Sequence, residues 1–353
     1  MKRNHTSGNA EAIRRLLYKV LPLLLSVLAG NGCNHRPERA VPRPAPSVYY
    51  WRTTWKLSAT ERDFLHTHRI GKIYLRYFDI SMQDDAAVPV GTVAFRDSLP
   101  AAMEFVPTVF IDERCLRGDV KDLAERIVKR IGRITDTHDV PNVHEIQLDC
   151  DFTARSREAY YRLLDHARGI LRKNGLGLSV TIRLHQLSMP APGADYGVLM
   201  MYNTGDFRQA DGRNPILDLR DVGPYLPHLK DYPLPLCAAY PNYAWTLAFR
   251  QGRFHTILYG ADLNDSTLFG RDDENTYRTV AARDIYYGDA AVHLVPGEKI
   301  VCHACSAQDI LRVKNVLAGI RPDLHRQVLI YHLDSTNITR YETHEYQLLY
   351  QHP

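Results

Sequence analysis

The chain has 353 residues, of which 45% are hydrophobic and 24% charged, and its formal net charge is +4. This composition is that of a globular protein with enough apolar residues to form a core without a metal or disulfide framework. The dispersed charge, the lack of any long run of like charges and the lack of a Gly-rich phosphate loop after an early strand predict a partner other than nucleic acid or nucleotide.

The N-terminal residues are typical of a protein that is exported. Basic residues precede an apolar run from Val20 to Gly30, which is too short to span a membrane. The "GNGC" that follows resembles the lipobox of bacterial lipoproteins, with Gly30 in place of the usual Leu. We predict that residues 1–33 are a lipoprotein-type signal peptide and that lipidated Cys33 anchors the protein to a membrane of the bacterial cell envelope, on its periplasmic or surface face. The alternative is a cleaved signal of a soluble protein, in which Cys33 has no role.

Residues 34–47, "NHRPERAVPRPAPS", contain four prolines and almost no large apolar side chain. This composition is typical of an extended tether. The folded domain is therefore predicted to comprise residues 48–353.

Strand-like and helix-like segments alternate from Val48 onward. Helix starts are indicated by capping boxes, in which a serine precedes an acidic residue by three positions, at Ser58 and Ser306. Eight segments are strand-like: "VYYWRTTW", "KIYLRYFDI", "EFVPTVFIDE", "HEIQLDCDFT", "LGLSVTIRLHQL", "YGVLMMYNTG", "LPLCAAYPNYAW" and "VLIYHLD". This order predicts an α/β fold, a (β/α)8 TIM barrel, with a doubly wound open sheet as the second choice.

The segment "YAWTLAFRQGRFHTILYG" interrupts this alternation after the seventh strand. It predicts a β-hairpin that turns at Gln251 and Gly252, within an insertion that extends to about Ile300.

The cysteines indicate no metal site. Cys150 and Cys237 lie in apolar strands and are predicted to be buried. Cys302 and Cys305 form a single C-x-x-C motif, for which a local disulfide or two free thiols is a better interpretation than zinc. We expect neither a metal nor a cofactor.

Several predicted strands carry polar residues along one face, although both faces of a parallel barrel strand are normally apolar. The residues are Gln147, Asp149 and Asp151 on the fourth strand, Ser179, Thr181, Arg183 and His185 on the fifth, and His332 and Asp334 on the last. Because the opposite faces are apolar, we expect the polar faces to point into the barrel and to reach its mouth, where barrel enzymes have their sites. The alternative is a structural network of ion pairs that fills the barrel.

Two of these segments resemble glycoside hydrolase family 18, the chitinase-like barrels, whose motifs are D-x-x-D-x-D-x-E and M-x-Y-D. In "IQLDCDFT", Asp149 and Asp151 match the second and third aspartates, whereas Ile146 replaces the first and Thr153 replaces the glutamate that acts as general acid. In "LMMYN", Tyr202 is matched and an asparagine follows it.

The closer resemblance is to a little-characterised family of bacterial barrel proteins, described as of unknown function or as candidate glycosidases. Its members carry LQ-[IL]-D-x-D on a strand, a helix with a tyrosine pair and then LS-[IV]-T. Here these elements are "IQLDCDFT", "AYYRLL" and "LSVTIRLHQL".

These resemblances imply a glycoside hydrolase-like protein that acts on a glycan through carboxylates at the barrel mouth. Asp151 is the expected general acid, Asp149 would favour its protonated form by like-charge repulsion, and Tyr202 would orient a substrate carbonyl or the nucleophile. Asp79, Asp112 and Glu113 are reserve carboxylates. The expected substrate-binding residues are Arg183, His185, Asn203, Asp112, Trp51, Tyr240 and Asp334. Thr153 favours the alternative, a non-catalytic glycan-binding or scaffold lipoprotein with a degenerate active site.

Overall fold

A computed structural model of the protein describes residues 45–209, 213–287 and 290–352. The predicted export signal, the lipidation site at Cys33 and most of the predicted tether lie outside these residues. None of the described helices is both long and apolar enough to cross a membrane.

The described residues form eighteen strands, numbered in chain order. Their bounds are β1 Ser47–Tyr50, β2 Thr54–Trp55, β3 Lys72–Gln83, β4 Ala86–Val90, β5 Ala94–Phe95, β6 Glu104–Ile111, β7 Glu145–Asp149, β8 Gly177–Ile182, β9 Tyr196–Met200, β10 Leu236–Pro241, β11 Ala244–Arg250, β12 Arg253–Ile257, β13 Phe269–Arg271, β14 Thr276–Thr279, β15 Arg283–Tyr287, β16 Ala290–Leu294, β17 Lys299–Ala304 and β18 Val328–Tyr331.

Eight parallel strands of this set close into a barrel in the order β1, β3, β6, β7, β8, β9, β10, β18. The barrel closes through β1, which pairs with β3 on one side and with β18 on the other. Each of these strands overlaps one of the eight strand-like segments, although β1 begins one residue earlier and β3 ends three residues later than its segment. The TIM-barrel prediction is therefore confirmed, and the open sheet is excluded.

Eight helices are described, and most of them lie around the barrel. They are α1 Ala59–Thr67, α2 Val120–Thr137, α3 Arg157–Lys173, α4 Leu219–Val222, α5 Leu226–Leu229, α6 Ala307–Ile320, α7 Ser335–Ile338 and α8 Thr343–Tyr350. The predicted capping boxes start α1 at Ser58 and α6 at Ser306, because each serine accepts a hydrogen bond from the backbone three residues later.

The connections after β8 and β9 depart from the ideal barrel. Residues 183–195 join β8 to β9 through a short 3-10 turn, Leu184–Ser188, and the longer connection after β9 contains the four-residue helices α4 and α5. Pro190 and Pro192 follow the turn and lack the amide hydrogens that a helix would need there. The barrel mouth is therefore covered by irregular loops on this side.

The predicted hairpin is confirmed as β11 and β12, with Gln251 and Gly252 both at positive φ in the turn. It belongs to the predicted insertion, which forms a five-stranded sheet in the order β12, β11, β17, β14, β13 and ends with β17 at Ala304. The separate hairpin of β15 and β16 also belongs to the insertion.

A polar network fills the lower half of the barrel, at the amino ends of the strands. Lys72 on β3 lies 2.9 Å from Glu104 and 3.7 Å from Glu145, and Glu145 accepts a hydrogen bond from Tyr196 on β9. Tyr196 shares a 2.7 Å hydrogen bond with Tyr74, across the barrel interior. Burial raises the pKa of Glu145 even though Lys72 opposes it. This network closes the barrel floor, and its ion-paired residues are not those of the polar strand faces considered from the sequence.

Candidate active site

The carboxyl ends of the barrel strands surround an open cavity of about 490 Å³. This volume lies within the range of small-molecule sites. Most of the site residues selected from the sequence line it: Trp51, Asp149, Asp151, Arg183, His185, Tyr202 and Asn203. The prediction that the polar faces of the fourth and fifth barrel strands reach the mouth is therefore correct.

A guanidinium lies between the two aspartates of β7 and the loop that follows it. Asp149 is buried and accepts hydrogen bonds from Thr181, at 2.6 Å, and from Arg183. The Nε atom of Arg183 lies 3.6 Å from Asp151, whose side chain is 60% exposed. Burial opposes the charge on Arg183, but the two carboxylates together raise its pKa. The like charges that the sequence places side by side are therefore bridged by a permanent cation.

Asp151 also faces an imidazole. His185 Nε2 lies 3.5 Å from a carboxylate oxygen of Asp151, and the His185 side chain is 41% exposed. Asp151 is thus an accessible carboxylate held between two cationic or proton-carrying groups, which can exchange a proton with a ligand or bind a ligand donor.

Gln186 fixes the loops that carry these side chains, and the sequence reading missed it. Its side-chain oxygen accepts from the backbone N–H of Arg183 at 2.9 Å, and its amide donates to the carbonyls of Cys150 and Phe152 at 3.3 and 3.1 Å. The loops after β7 and β8 are therefore tied together by one fully buried side chain. Gln186 lies beyond the end of β8, where strand alternation no longer applies, so the sequence pattern did not indicate its role.

Aromatic rings form one wall of the cavity. Tyr202 stacks on Tyr331 with ring centroids 4.7 Å apart, and Trp51 packs against Tyr331 at 6.0 Å. Burial, reinforced by Tyr49 and Tyr331, raises the pKa of Tyr202 well above its ordinary value, so its hydroxyl stays protonated. This buried hydroxyl has no hydrogen-bond partner among the described residues. Such a donor is available to a ligand that enters the cavity.

Asn203 follows Tyr202 in the left-handed region, with φ of 54°, a conformation that asparagine tolerates better than most residues. Its side-chain oxygen accepts a hydrogen bond from Tyr243, at the start of the insertion. Asn203 therefore links the barrel mouth to the insertion.

Asp79 on β3, a reserve carboxylate in the sequence, lines the cavity as well. Both of its oxygens bind the guanidinium of Arg76, with the Nε–Oδ1 distance at 2.8 Å. The cavity therefore contains three carboxylates, two of which are engaged by arginines at short range.

Three residues predicted to bind substrate lie elsewhere, and these predictions are corrected. Asp112 caps the 3-10 turn Glu113–Arg117 and pairs with Arg114, whose hydrogen bonds lower the pKa of Asp112. Tyr240 is fully buried and its hydroxyl lies 2.7 Å from a ring nitrogen of His325. Asp334 caps α7.

These misplacements have physical reasons. β18 ends at Tyr331, so the alternation that placed His332 and Asp334 inward does not continue to them. Tyr331 itself lines the cavity instead. Tyr240 lies within β10, all of whose residues are buried. The sequence therefore does not indicate which face of the strand its side chain occupies.

Thr153, which replaces the glutamate of the resembling enzymes, is bound to a neighbouring carboxylate. Glu113 accepts hydrogen bonds from the hydroxyls of Thr153 and Ser156, each at 2.5 Å, and from the Thr153 backbone at 3.2 Å. Partial burial opposes ionisation, but these donors lower the pKa of Glu113. Glu113 lies in an adjoining cleft and not in the wall of the cavity. It clamps the loop before α3 and is poorly suited to replace the missing acid.

The cysteines of the described residues are all free thiols. Cys150 and Cys237 are buried, as predicted, and burial raises the pKa of both thiols. Cys302 lies 3.8 Å from the hydroxyl of Thr246, and Cys305 accepts a hydrogen bond from Asn214. Within the described residues, no group of three or more His, Cys, Asp or Glu side chains could hold a metal ion.

Comparison with known proteins agrees with this architecture. No protein-family model matches the chain, and neither does any curated protein. Among solved structures, a chitinase from Chromobacterium violaceum has a TM-score of 0.53 at 13% identity, covering 87% of this chain and 99% of its own. A class V chitinase from Nicotiana tobaccum has a TM-score of 0.51 at 10% identity, covering 86% and 99%.

A GH18 chitinase from Cycas revoluta, solved in complex with (GlcNAc)3, has a TM-score of 0.50 at 11% identity, covering 87% of this chain and 98% of its own. At these identities the likeness is one of fold. The chain therefore has the TIM-barrel fold of chitinase-like glycosidases, as the motif resemblance implied.

Proposed function

We propose that this protein is a glycoside hydrolase-like protein of the bacterial cell envelope, exported and anchored through lipidated Cys33, which binds an oligosaccharide at the barrel mouth and cleaves it with Asp151 as general acid. The observation that carries the proposal is that Asp149, Asp151 and Tyr202 share one open cavity with an aromatic wall. Aromatic rings suit the apolar faces of sugars, and carboxylates are the groups that glycosidases use.

Each side chain has a distinct part in this proposal. Asp151, the most exposed carboxylate of the three, protonates the glycosidic oxygen as its bond to the anomeric carbon breaks. Water adds to that carbon, and His185 passes the proton that this water loses back to Asp151. Asp149 remains bound to Arg183, and its negative charge stabilises the positive charge that develops on the sugar. Tyr202 donates its free hydroxyl hydrogen to a substrate carbonyl or hydroxyl.

The second candidate is a non-catalytic glycan-binding protein. Thr153 favours it, because the carboxylate bound to this position is Glu113, whose pKa is lowered by hydrogen bonds from Thr153 and Ser156. A site without that acid would bind a glycan and leave it intact.

An activity screen of the protein on aryl glycosides and cell-wall glycans separates the two candidates. For an enzyme, Asp151→Asn should abolish hydrolysis while the circular dichroism spectrum and thermal midpoint stay unchanged. Asp122→Asn, on the exposed face of α2, is the matched control and should retain full activity. Binding without turnover in the wild-type protein would overturn the hydrolase and support the binding protein.

A further inference from the structure

We propose that the glycan bound at the barrel mouth carries an anionic group, a carboxylate or a sulfate, which is held in a second cleft beside the active-site cavity. The inference rests on the proposed function and specifies its substrate class. This cleft, which we call the cationic cleft, has a volume of about 660 Å³ and is lined by Trp51, Arg52, Thr53, Thr54, Lys56 and Arg76, among others.

The cationic cleft adjoins the active-site cavity. Trp51 lines both of them. The guanidinium of Arg76, in the cleft wall, lies 6.0 Å from the Trp51 ring and binds Asp79 in the cavity wall. A sugar stacked on Trp51 would therefore direct its substituents into both spaces.

The charges of the cleft are unequally compensated. Glu61, the carboxylate among its lining residues, is fully buried, and its oxygens receive the Ser58 backbone N–H at 2.8 Å and the Arg52 guanidinium at 2.9 Å. Glu61 therefore offsets Arg52, as Asp79 offsets Arg76.

Lys56 is the exception in this cleft. Its side chain is exposed, and it makes no ion pair within the part of the chain that the structure describes. The cleft thus presents an uncompensated ammonium beside the exposed residues Thr53 and Thr54, whose hydroxyls can bind sugar oxygens.

The backbone that carries Lys56 is firmly held, although its ammonium is free. The Lys56 N–H donates to the hydroxyl of Tyr50 at 3.0 Å, and its carbonyl accepts from Arg52 at 3.1 Å. These contacts fix the backbone from which the lysine side chain extends, and the side chain can be replaced without removing them.

The test is a calorimetric titration of the full chain with three tetrasaccharides. The neutral probe is chitotetraose. The carboxylate probe alternates N-acetylglucosamine with N-acetylmuramic acid on the same β-1,4 backbone, and the sulfate probe is 6-O-sulfated chitotetraose. We expect one anionic probe to bind about tenfold more tightly than chitotetraose at low salt, as a charge-assisted contact would give, and the ratio to shrink as salt is added.

Two charge-reversal variants test whether the cationic cleft is responsible for this ratio of affinities. Lys56→Glu should reduce the ratio of anionic to neutral affinity to about one or below. Lys173→Glu, at the opposite end of α3 from the mouth, has the same charge change and should preserve the ratio. The probe with the larger ratio identifies the anionic group as a carboxylate or a sulfate.

Three results would overturn the inference. If chitotetraose binds as tightly as both anionic probes, the inference fails while the proposed glycan site stands. If Lys56→Glu leaves the ratio intact, the anion is bound elsewhere and the cleft is not its site. Absence of binding by all three probes would reject the proposed function together with the inference.

Discussion

Arg183 governs the electrostatics of the barrel mouth, because it is bound to the buried Asp149 and lies 3.6 Å from the exposed Asp151. Removal of one partner from a buried ion pair leaves an uncompensated charge. We therefore expect Arg183→Met to lower the free energy of unfolding by about 3–5 kcal/mol, measured by urea denaturation at neutral pH.

The control for this variant is Arg114→Met. Arg114 also pairs with an aspartate, Asp112, but its side chain is 62% exposed. This substitution should change stability little, because exposed ion pairs contribute little. An equal effect of the two substitutions would mean that Asp149 does not depend on Arg183 for its compensation.

In contrast to Arg183, the hydroxyl of Tyr202 should contribute to ligand binding and not to stability. Its buried hydroxyl lacks a partner among the described residues, so its removal sacrifices no hydrogen bond in the ligand-free protein. We expect Tyr202→Phe to leave the thermal midpoint equal or higher and to weaken chitotetraose binding about tenfold.

The matched control is Tyr232→Phe. The hydroxyl of Tyr232 is likewise buried without a partner in the described chain, but Tyr232 does not line the cavity. It should alter neither binding nor stability strongly. Unchanged chitotetraose affinity in Tyr202→Phe would remove this hydroxyl from the proposed site.

At the level of single residues, the sequence predicts the direction of those side chains that alternate along a barrel strand. Asp149 and Arg183 lie in or directly after barrel strands, and their inward direction follows from the period of two. The prediction fails at Asp334, which caps a helix after β18 has ended, and where long-range contacts decide. The hydrogen bond between Glu113 and Thr153 joins residues 40 apart in the sequence, and no local sequence pattern predicts it.

At the level of elements, the eight barrel strands and the amphipathic α2 follow from apolar patterning. The buried residues of α2 include Val120, Leu123 and Ile127, at helical spacing. The turn between β3 and β4 has no glycine and was not predicted. It is made by Asp84 and Asp85, both at positive φ, which aspartate tolerates better than most residues.

The contact between β10 and the 3-10 turn Pro322–His325 should make stability depend on pH. Burial, together with Lys314 and His352, lowers the pKa of His325 to about 3. In the unfolded chain this histidine titrates near 6.5, so as the pH falls below that value the unfolded state binds a proton that the folded state excludes until about pH 3. Stability is therefore lost as the pH falls, by about 2 kcal/mol between pH 7 and pH 5 from this residue.

Urea denaturation of the wild type and His325→Gln at pH 7 and pH 5 measures this contribution. The glutamine can still bind the hydroxyl of Tyr240, and the variant should lose about 2 kcal/mol less than the wild type over this interval. His66→Gln, on the exposed face of α1, should follow the wild type. Equal losses in all three proteins would show that His325 is protonated in the folded state.

At the level of the whole molecule, the order of strands could be predicted and the larger pairings could not. Closure of the barrel depends on β1 pairing with β18, which is almost the whole domain away in sequence. The insertion sheet likewise depends on β11 pairing with β17. A hairpin carries a local turn signal, whereas such distant partners are selected by packing that a single sequence does not reveal.

The barrel also determines where the proposed tether would join the domain. β1 begins at Ser47, and because all barrel strands are parallel, this residue lies at the end opposite the cavity. Residues 34–46 could span at most about 45 Å when extended. The proposed tether would therefore join the domain at the closed floor of the barrel, at the end opposite the mouth.

Replacement of Cys33 tests this anchoring. Cys33→Ala should move the protein from the membrane fraction to the soluble fraction and abolish incorporation of labelled palmitate. Affinity for chitotetraose should stay the same, because the cavity is built from residues that follow Ser47. Cys302→Ala, which removes a cysteine of the insertion, is the control and should leave fractionation and labelling unchanged. Membrane association that persists in Cys33→Ala without any palmitate label would mean that another segment holds the protein to the membrane.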